Sequence, residues 1–285
     1  MMMAKTKNLG IIGYPIEHTL SPIMQTAAID AAGLDYSYIA MLIPPGRLVP
    51  ALEGLRALYF RGWNVTIPHK STIIQFLDAI DPDAKLIGAV NTVVNDGGAI
   101  TGYNTDVIGF LMSLVKAGFI LDESRAVVLG AGGAARAVTW ALCKRRASSI
   151  TIGVRNPSKA MALVKDFAAF ASIEVCDWES DEFKAQLENA DILINTTPLG
   201  MSPNIDAMPP VELELLPKGA LVYDVVYSPA KTKLLLRAEE LGYPIINGEA
   251  MLAYQGVESF RLFTGVETDA QIMLDAVRKV LSTNE

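Results

Sequence analysis

A glycine-rich turn lies in the middle of the chain, directly after an apolar segment. Residues 126–135 read Ala-Val-Val-Leu-Gly-Ala-Gly-Gly-Ala-Ala, and a helical pattern begins at once. Gly130 permits a tight turn after a strand, Gly132 lets backbone N–H groups approach a phosphate, and Ala135 is small enough for close helix–strand packing. The helix N-terminus adds unpaired N–H donors and the positive end of its dipole. The pattern therefore predicts a site for the pyrophosphate of a dinucleotide.

The predicted strand at 150–154 is followed by Arg155. A site that selects NAD has Asp or Glu there, roughly 20 residues beyond the glycines, to bind the ribose 2′-hydroxyl. Here Asn156 and Lys159 follow the arginine, and the first carboxylate is that of Asp166. Because a guanidinium donates paired hydrogen bonds to phosphate oxygens, the pattern favours NADP over NAD. The alternative is a positively charged surface loop without a ligand.

The composition is typical of a globular protein with sizeable cores. Of the 285 residues, 51% are hydrophobic and 19% are charged, which excludes a disordered chain. The net charge of −7 argues against a nucleic-acid partner, which needs a basic face. Cys143 and Cys176 lack metal-ligand spacing, so we expect buried thiols and no metal site. Without a signal peptide or a transmembrane-length segment, we expect a cytoplasmic protein with no membrane partner.

Strand and helix patterns alternate along almost the whole chain, which predicts an α/β fold with mostly parallel sheets covered by helices. Strands are predicted at 9–14, 36–43, 63–67, 89–95, 99–103, 126–129, 150–154, 173–176, 191–195 and 221–226, and helices at 22–32, 48–58, 71–80, 107–117, 251–264 and 268–281. The segment 89–103 is predicted to be a hairpin, and Ser21 and Ser71 are predicted helix N-caps. Because the glycine turn is in mid-chain, we expect a separate domain before it. The last two helices could complete either domain.

Polar side chains cluster near the predicted strand ends of the first domain, where open α/β sheets bind ligands. They are Ser21, Thr66, Lys70, Asn91, Thr92, Asn104 and Asp106. Singly, Ser21 and Asp106 fit helix N-caps and Lys70 fits an exposed cation. Together they fit a hydroxyl-rich ligand and the proton donor that a carbonyl reduction needs. His18 and His69 are alternative acid–base groups, but a lysine–aspartate pair is preferred because the carboxylate favours the ammonium form.

Eight short motifs occur in order along the chain. They are Thr19-Leu-Ser-Pro22, Asn64-Val-Thr-Ile-Pro-His-Lys70, Gly88-Ala-Val-Asn-Thr92, Gly102-Tyr-Asn-Thr-Asp106, Gly130-Ala-Gly-Gly-Ala-Ala-Arg-Ala137, Asn195-Thr-Thr-Pro-Leu-Gly-Met201, Asp224-Val-Val-Tyr-Ser-Pro229 and Gly248-Glu-Ala-Met-Leu-Ala-Tyr-Gln-Gly256. In these motifs the chain resembles the shikimate dehydrogenase family over essentially its whole length.

The resemblance implies two α/β domains. A substrate-binding and catalytic domain would comprise residues 1–106 and be completed by the C-terminal helices at 249–285, and a Rossmann-type NADP-binding domain would comprise 107–248. The implied activity is the reversible NADPH-dependent reduction of 3-dehydroshikimate to shikimate, in aromatic amino acid biosynthesis. The cofactor would be NADP, with NAD still open, and the partner a small-molecule substrate. A homodimer also stays open.

The resemblance also implies roles for individual residues. Thr19, Ser21 and Tyr227 would hold the substrate carboxylate, while Thr66, Lys70, Asn91, Asp106 and Gln255 would bind the ring hydroxyls. Lys70 would be the principal acid–base residue, with Asp106 as its partner. Gly130, Ala131, Gly132, Gly133 and Ala134 would cradle the pyrophosphate, Val154, Arg155, Asn156 and Lys159 would surround the adenosine phosphate, and Val225 and Gly248 would border the nicotinamide.

The sequence departs from the family's usual pattern in two places. Thr19 stands where serine is usual, and its extra methyl narrows the pocket, as in the quinate/shikimate branch. Val154-Arg155-Asn156 replaces Asn-Arg-Thr, which removes polar side chains beside the arginine. The alternatives are an NAD-dependent quinate/shikimate dehydrogenase, a reductase of another polyhydroxylated ring acid, and a non-catalytic sensor of metabolite and nucleotide. The presence of both Lys70 and Asp106 argues against the sensor.

Overall fold

The computed structural model describes residues 5–282, apart from the side chain of Lys159. The strands in this part of the chain are β1 (Lys7–Gly13), β2 (Tyr36–Leu42), β3 (Gly62–Val65), β4 (Ala79–Ile80), β5 (Thr92–Asp96), β6 (Ala99–Tyr103), β7 (Arg125–Leu129), β8 (Ser149–Val154), β9 (Ile173–Asp177), β10 (Ile192–Asn195), β11 (Leu221–Asp224) and β12 (Ile245–Ile246). The helices are α1 (Ser21–Ala31), α2 (Leu48–Ala57), α3 (His69–Thr72), α4 (Pro82–Ile87), α5 (Asp106–Lys116), α6 (Gly133–Lys144), α7 (Pro157–Phe167), α8 (Asp181–Leu187), α9 (Lys233–Glu240), α10 (Glu249–Thr264) and α11 (Ala270–Leu281). The α/β class predicted from the alternating pattern is confirmed.

The chain folds as two compact units. The first unit consists of Met1–Gly109 together with Ala253–Glu285, and the second unit consists of Phe110–Leu252. The units separate within α5 and within α10. The domain boundaries predicted at 106/107 and 248/249 fall at the starts of these same two helices, and they stay a prediction.

The first unit is built on a mixed six-stranded sheet in the order β2-β1-β3-β5-β6-β4. β1 pairs in parallel with β2 and β3. β5 pairs antiparallel with β3 on one side and with β6 on the other. All four residues of β3 are buried, and Trp63 on this strand lies in a core with Leu52, Val93 and Ile100. The predicted hairpin is confirmed, since β5 and β6 are joined at Gly97 and Gly98, which both have positive φ.

The second unit is built on a six-stranded, wholly parallel sheet in the order β12-β11-β10-β7-β8-β9. The chain runs outward from β7 through β8 to β9, then returns to β10 on the other side of β7. Ligands of such sheets bind outside the carboxyl ends of the strands, where the strand order reverses. Here that point lies at the ends of β7 and β10, where Leu129 is paired with Asn195.

The single helix predicted at 71–80 is wrong. Helix α3 ends at Thr72 and is followed by a short 3-10 turn, Ile73–Phe76, and then by β4. The backbone N–H of Asp78 donates to the carbonyl of Ile100 at 3.0 Å, and its carboxylate accepts from the N–H of Ile100 at 2.7 Å. These hydrogen bonds to the distant strand β6 stabilise an extended conformation, although the apolar spacing of the segment favours a helix.

The predicted caps at Ser21 and Ser71 are also wrong. Ser21 is the first residue of α1, whose N-cap residue is Leu20, and the N–H of Ser21 donates to Thr19 Oγ1 at 3.3 Å. Ser71 lies inside α3. A cap that sequence reasoning missed is Asp81, whose carboxylate accepts from two amides in the first turn of α4. The sequence Asp81-Pro-Asp carries a recognisable signal for this helix start.

The two cysteines differ in their surroundings. Cys143 is buried in α6, but Cys176 on β9 is only half-buried, so the prediction of buried thiols is correct for Cys143 alone. Burial raises the pKa of Cys143 to about 11. The pKa of Cys176 is also raised, mainly by burial and then by the charges of Glu174 and Glu182. Both thiols therefore stay protonated and weakly nucleophilic at neutral pH.

Candidate active site

A short ion pair joins two polar side chains of the first unit. The Nζ atom of Lys70, on α3, lies 2.7 Å from Oδ2 of Asp106, the first residue of α5. The side chains are 24% and 11% exposed, so the pair is sheltered but still within reach of a small molecule. An ammonium has three N–H donors, and Asp106 takes one of them. The other two are free to bind a ligand, because no second acceptor in the described residues contacts Lys70 Nζ.

Asn91 hydrogen-bonds to the second carboxylate oxygen of Asp106. Its Nδ2 donates to Asp106 Oδ1 at 2.8 Å, so both carboxylate oxygens accept a hydrogen bond. The orientation of Asn91 is set by Thr105 and Thr92, whose backbone N–H and hydroxyl donate to Asn91 Oδ1 at 2.8 and 3.0 Å. Asn104 in turn accepts from the N–H of Asp106 at 3.0 Å. The amide and the carboxylate are therefore held rigidly.

A buried network of hydroxyl and amide groups extends from Asn91 into the first unit. Asn64 Nδ2 lies 3.0 Å from both Thr92 Oγ1 and Ser259 Oγ, and Tyr38 donates to Asn64 Oδ1 at 2.7 Å. Burial raises the pKa of Tyr38 well above its usual value, which keeps the phenol as a donor. Thr105 Oγ1 contacts Ser259 at 3.1 Å and Gln255 Oε1 at 3.4 Å. Sequence reasoning missed Tyr38 and Ser259, which stand outside any polar motif.

The other side chains predicted to bind substrate in this unit are Thr19, Ser21 and Thr66. Thr19, in the loop after β1, donates from Oγ1 to the hydroxyl of Ser21 at 3.2 Å. Thr66 directly follows β3 and is half-buried. Of the alternative acid–base groups, His69 is buried with Nε2 at 2.7 Å from the carbonyl of Ile43. His18 is exposed. The structure thus brings together Lys70 and Asp106, and it ties His69 to the backbone.

In the second unit, the glycine turn has the geometry needed to receive a phosphate group. Gly130 has φ +104°, and a Cβ there would lie 3.0 Å from Thr196 Oγ1, so a side chain at this position is strained. Gly132 is the N-cap residue of α6, and a Cβ there would meet no atom within 4 Å. The space beside Gly132 is therefore open at the N-terminus of α6, where first-turn N–H groups such as those of Gly133 and Ala134 suit a pyrophosphate. Ala131 is half-buried between the two glycines.

The end of β8 carries the residues predicted to surround the adenosine phosphate. Val154 is buried, and Arg155 is exposed and forms no ion pair with any described residue. The side-chain oxygen of Asn156 caps α7, accepting from the N–H and the hydroxyl of Ser158 at 3.2 and 2.6 Å. Lys159 lies in α7, and its side chain is outside the described residues. Arg155 therefore offers an exposed cation at this strand end.

The turn after β11 is held close to Gly248. The N–H of Gly248 donates to the carbonyl of Val226 at 3.0 Å, and a Cβ on Gly248 would lie 2.0 Å from the carbonyl oxygen of Val225. Only glycine fits at this position. Tyr227 follows in the same turn, and burial raises its pKa, so the phenol is a hydrogen-bond donor at neutral pH. Tyr227 belongs to the second unit, whereas Thr19 and Ser21 belong to the first.

Asp224, the last residue of β11, is fully buried, and its pKa is raised to about 6 by burial. Its Oδ1 accepts from Asn195 Nδ2 and from the N–H of Val226, each at 3.0 Å, and its Oδ2 accepts from Thr232 Oγ1 at 2.7 Å. These hydrogen bonds oppose the rise in pKa. No lysine or arginine in the described residues pairs with this carboxylate. It was part of a recognised motif, but sequence reasoning gave it no role.

We expect Asp224 to make the protein less stable as the pH rises. An unfolded aspartate releases its proton near pH 3.8, whereas folded Asp224 holds it to about pH 6. Between these values the folded state binds more protons, so the free energy of unfolding falls with pH. Urea unfolding should show that the stability of the wild type, relative to that of Asp224→Asn, is lower by about 2 kcal/mol at about pH 7.5 than at about pH 4. An equal difference at both pH values would contradict this.

The part of the chain that the structure describes contains neither a metal-binding cluster nor a membrane-spanning helix. No group of three or more His, Cys, Asp and Glu side chains there could hold a metal ion. Among the same residues, no helix has both the length and the apolar character needed to cross a membrane.

Three family models match the chain. The shikimate dehydrogenase substrate binding domain matches residues 11–93, the shikimate/quinate 5-dehydrogenase model matches 113–202, and the shikimate 5′-dehydrogenase C-terminal domain matches 248–278. These matches lie in both units and in the helices that follow Gly248.

Known proteins resemble the chain over its full length. The shikimate dehydrogenase (NADP(+)) of Methanothermobacter thermautotrophicus is 44% identical over 99% of both chains. A crystal structure of shikimate dehydrogenase in complex with NADP+ has a TM-score of 0.91 and 42% identity, covering 99% of this chain and 98% of the other. The shikimate 5-dehydrogenase of Thermus thermophilus, in complex with NADP(H) and shikimate, has a TM-score of 0.87 and 36% identity over 96% and 100%. The resemblance seen in the eight motifs is confirmed: the chain belongs to the shikimate dehydrogenase family.

Proposed function

We propose that this protein is an NADP-dependent shikimate dehydrogenase, an oxidoreductase that interconverts 3-dehydroshikimate and shikimate in aromatic amino acid biosynthesis. The observation that carries the proposal is the sheltered Lys70–Asp106 pair, 2.7 Å apart. It lies among rigid amide and hydroxyl groups, in a chain 44% identical to an NADP(+) shikimate dehydrogenase. A reductase of a hydroxylated ring needs both a proton donor and groups that orient the hydroxyls.

The proton donor in this proposal is the ammonium group of Lys70. During reduction it delivers a proton to the oxygen at C3, and in the reverse direction the amine takes that proton back. Asp106 orients the ammonium, and its carboxylate oxygens have lone pairs left for the neighbouring ring hydroxyl. Asn91, Thr66 and Gln255 complete the set that we assign to the ring hydroxyls. Thr19 and Ser21 of the first unit and Tyr227 of the second are assigned to the substrate carboxylate.

The residues of the second unit that would hold the cofactor fit NADP. The N–H groups at Gly130, Ala131, Gly132, Gly133 and Ala134 would bind the pyrophosphate, and Val225 and Gly248 would border the nicotinamide. Arg155, with Val154, Asn156 and Lys159 beside it, would bind the adenosine phosphate. When bound, NADPH supplies the hydride that reduces the carbonyl carbon. The residues of this unit do not themselves exchange protons with the substrate.

The proposal is tested by a spectrophotometric assay that crosses NADP+ and NAD+ with shikimate and quinate. We expect kcat/KM to be largest for shikimate with NADP+. A larger value for quinate with NAD+ would identify a quinate/shikimate dehydrogenase instead. Binding of shikimate and NADP+ by calorimetry, without turnover of any pair, would identify a non-catalytic sensor.

Arg155→Ala should weaken the preference for NADP+. A hydrogen bond to a charged group contributes about 1.5–3 kcal/mol, so KM for NADP+ should rise about 10- to 100-fold, and KM for NAD+ should change little. Arg47→Ala is the matched control, because Arg47 is also exposed and forms no ion pair with a described residue. Equal changes in KM for both cofactors would contradict the assignment of Arg155 to the 2′-phosphate.

Two expectations from the sequence remain proposals about the whole molecule. One is a cytoplasmic location, and the other is assembly as a homodimer without a nucleic-acid or membrane partner. Sedimentation of the full chain across a range of concentrations measures the assembly. A single species with the mass of one chain would contradict the homodimer.

A further inference from the structure

We propose that Asp224 is a positioning residue, which holds the turn from Val225 to Tyr227 in the shape that binds substrate. The inference rests on the proposed function, since it concerns the same site. Asp224 is a buried carboxylate, and the mechanism above gives it no role. Asp224 directly precedes the turn that carries Tyr227, which we assign to the substrate carboxylate.

Asp224 joins three separate segments of the second unit. Asn195 ends the neighbouring strand β10, Val226 belongs to the turn after β11, and Thr232 is the N-cap residue of α9. Each donates one hydrogen bond to the carboxylate, at 3.0, 3.0 and 2.7 Å. Because the three donors come from different elements, this one side chain sets their relative positions.

The donors are themselves held in place. The side-chain oxygen of Asn195 accepts from the N–H and the hydroxyl of Thr197, at 3.0 and 2.7 Å. Thr232 Oγ1 accepts from the N–H of Leu235 at 3.4 Å, which caps α9. Gly200, with φ +89°, packs so closely on Thr232 that an added Cβ would lie 3.1 Å from its Cβ. Asp224 is therefore the centre of a rigid frame.

The turn that carries Tyr227 is clamped between this frame and Gly248. The N–H of Val226 donates to Asp224, and the carbonyl of Val226 accepts from Gly248 at 3.0 Å. Both backbone hydrogen-bonding groups of Val226 are thus used. Moving the turn would leave buried polar groups unpaired, which is unfavourable because they would lose hydrogen bonds without regaining water. The clamp therefore holds the backbone immediately before Tyr227.

A buried carboxylate without a cationic partner is costly, because it loses its hydration. An apolar side chain at this strand end would pack more favourably, but it could not accept three hydrogen bonds. Thr139 shows the contrast, since its buried hydroxyl has no hydrogen-bond partner in the described residues and joins nothing. Asp224 instead accepts hydrogen bonds from three elements, at the carboxyl ends of the strands, where ligands bind.

The test combines Asp224→Ala, Tyr227→Phe and the double variant in a double-mutant cycle. We expect Asp224→Ala to raise KM and the calorimetric Kd for shikimate about tenfold, with kcat within a few fold of wild type. Tyr227→Phe should raise KM in the wild-type background and change it less than twofold when Asp224 is alanine. A purely structural residue would lower the melting temperature and leave this coupling at zero.

Thr232→Val is the second variant, in case Asp224→Ala does not fold. It removes one of the three donors, and we expect a rise of several fold in KM for shikimate. Thr139→Val is the matched control for loss of a buried hydroxyl, and its KM should equal that of wild type. Additive effects in the cycle, or equal KM for the two threonine variants, would overturn the proposal. A wild type that does not turn over shikimate would instead overturn the proposed function, and the inference with it.

Discussion

Lys70→Met is expected to lower kcat by about 10²–10⁴-fold, with KM for 3-dehydroshikimate within a few fold of wild type. The methionine keeps the apolar stem of the lysine but has no proton to deliver. The ammonium would act on an oxygen that gains charge only as the carbonyl is reduced, so its loss affects the transition state more than ground-state binding. Steady-state kinetics of NADPH consumption measures both constants.

The matched control for this variant is Lys231→Met. Lys231 forms an ion pair of the same length with Glu239, also 2.7 Å, but both side chains are about half exposed. Exposed pairs contribute little to stability, so kcat and KM should both equal those of wild type. If Lys70→Met retained the wild-type kcat, Lys70 would have no part in proton transfer.

Asp106→Asn should lower kcat/KM by about 10²-fold, and the Lys70→Met/Asp106→Asn double variant should be no slower than Lys70→Met alone. The amide still occupies the space of the carboxylate beside Asn91, but it provides no charge to hold the ammonium. The effects of substituting two residues that act as one unit do not add, because the first substitution already abolishes the function that the second residue supports. The measurement is kcat/KM for the wild type, both single variants and the double variant.

Glu239→Gln provides the control for loss of an ion-paired carboxylate. Glu239 accepts from Lys231 at 2.8 and 2.7 Å, outside the proposed site, and its variant should show wild-type kinetics. Multiplied losses in the Lys70–Asp106 double variant would mean that the two residues act independently, and the pair would not be the proton-delivering unit.

Much of the fold could be predicted because its signals are local. The apolar run before Gly130 and the helix after it appear in the structure as β7 and α6. The hairpin at Gly97 and Gly98 is likewise encoded by adjacent residues. The helix prediction for 71–80 was wrong because the structure of this segment depends on a contact that is distant in the sequence. Its apolar spacing is helical, but Asp78 bonds to Ile100 on another strand, and a window of neighbouring residues contains no sign of that contact.

The residues of the candidate site also differ in whether local sequence or distant contacts reveal them. Lys70 and Asp106 stand in short polar motifs at predicted strand ends, so residue type and position were enough to single them out. Tyr38, Ser259 and Asp224 were missed as parts of the site. Their roles come from hydrogen bonds such as Ser259 to Asn64, which are 195 residues apart in the chain. A single polar residue in an apolar segment looks like any other until the fold supplies its partners.

The central claim is that this chain reduces 3-dehydroshikimate with NADPH, using Lys70 as the proton donor. The most direct measurement follows an isotope: 3-dehydroshikimate is incubated with the protein and with NADPH that carries deuterium at the transferred position, and the product is examined by mass spectrometry. We predict shikimate with one deuterium at C3, formed mole for mole with NADP+, and almost none from Lys70→Met. Shikimate without deuterium, or consumption of NADPH without shikimate, would contradict the account.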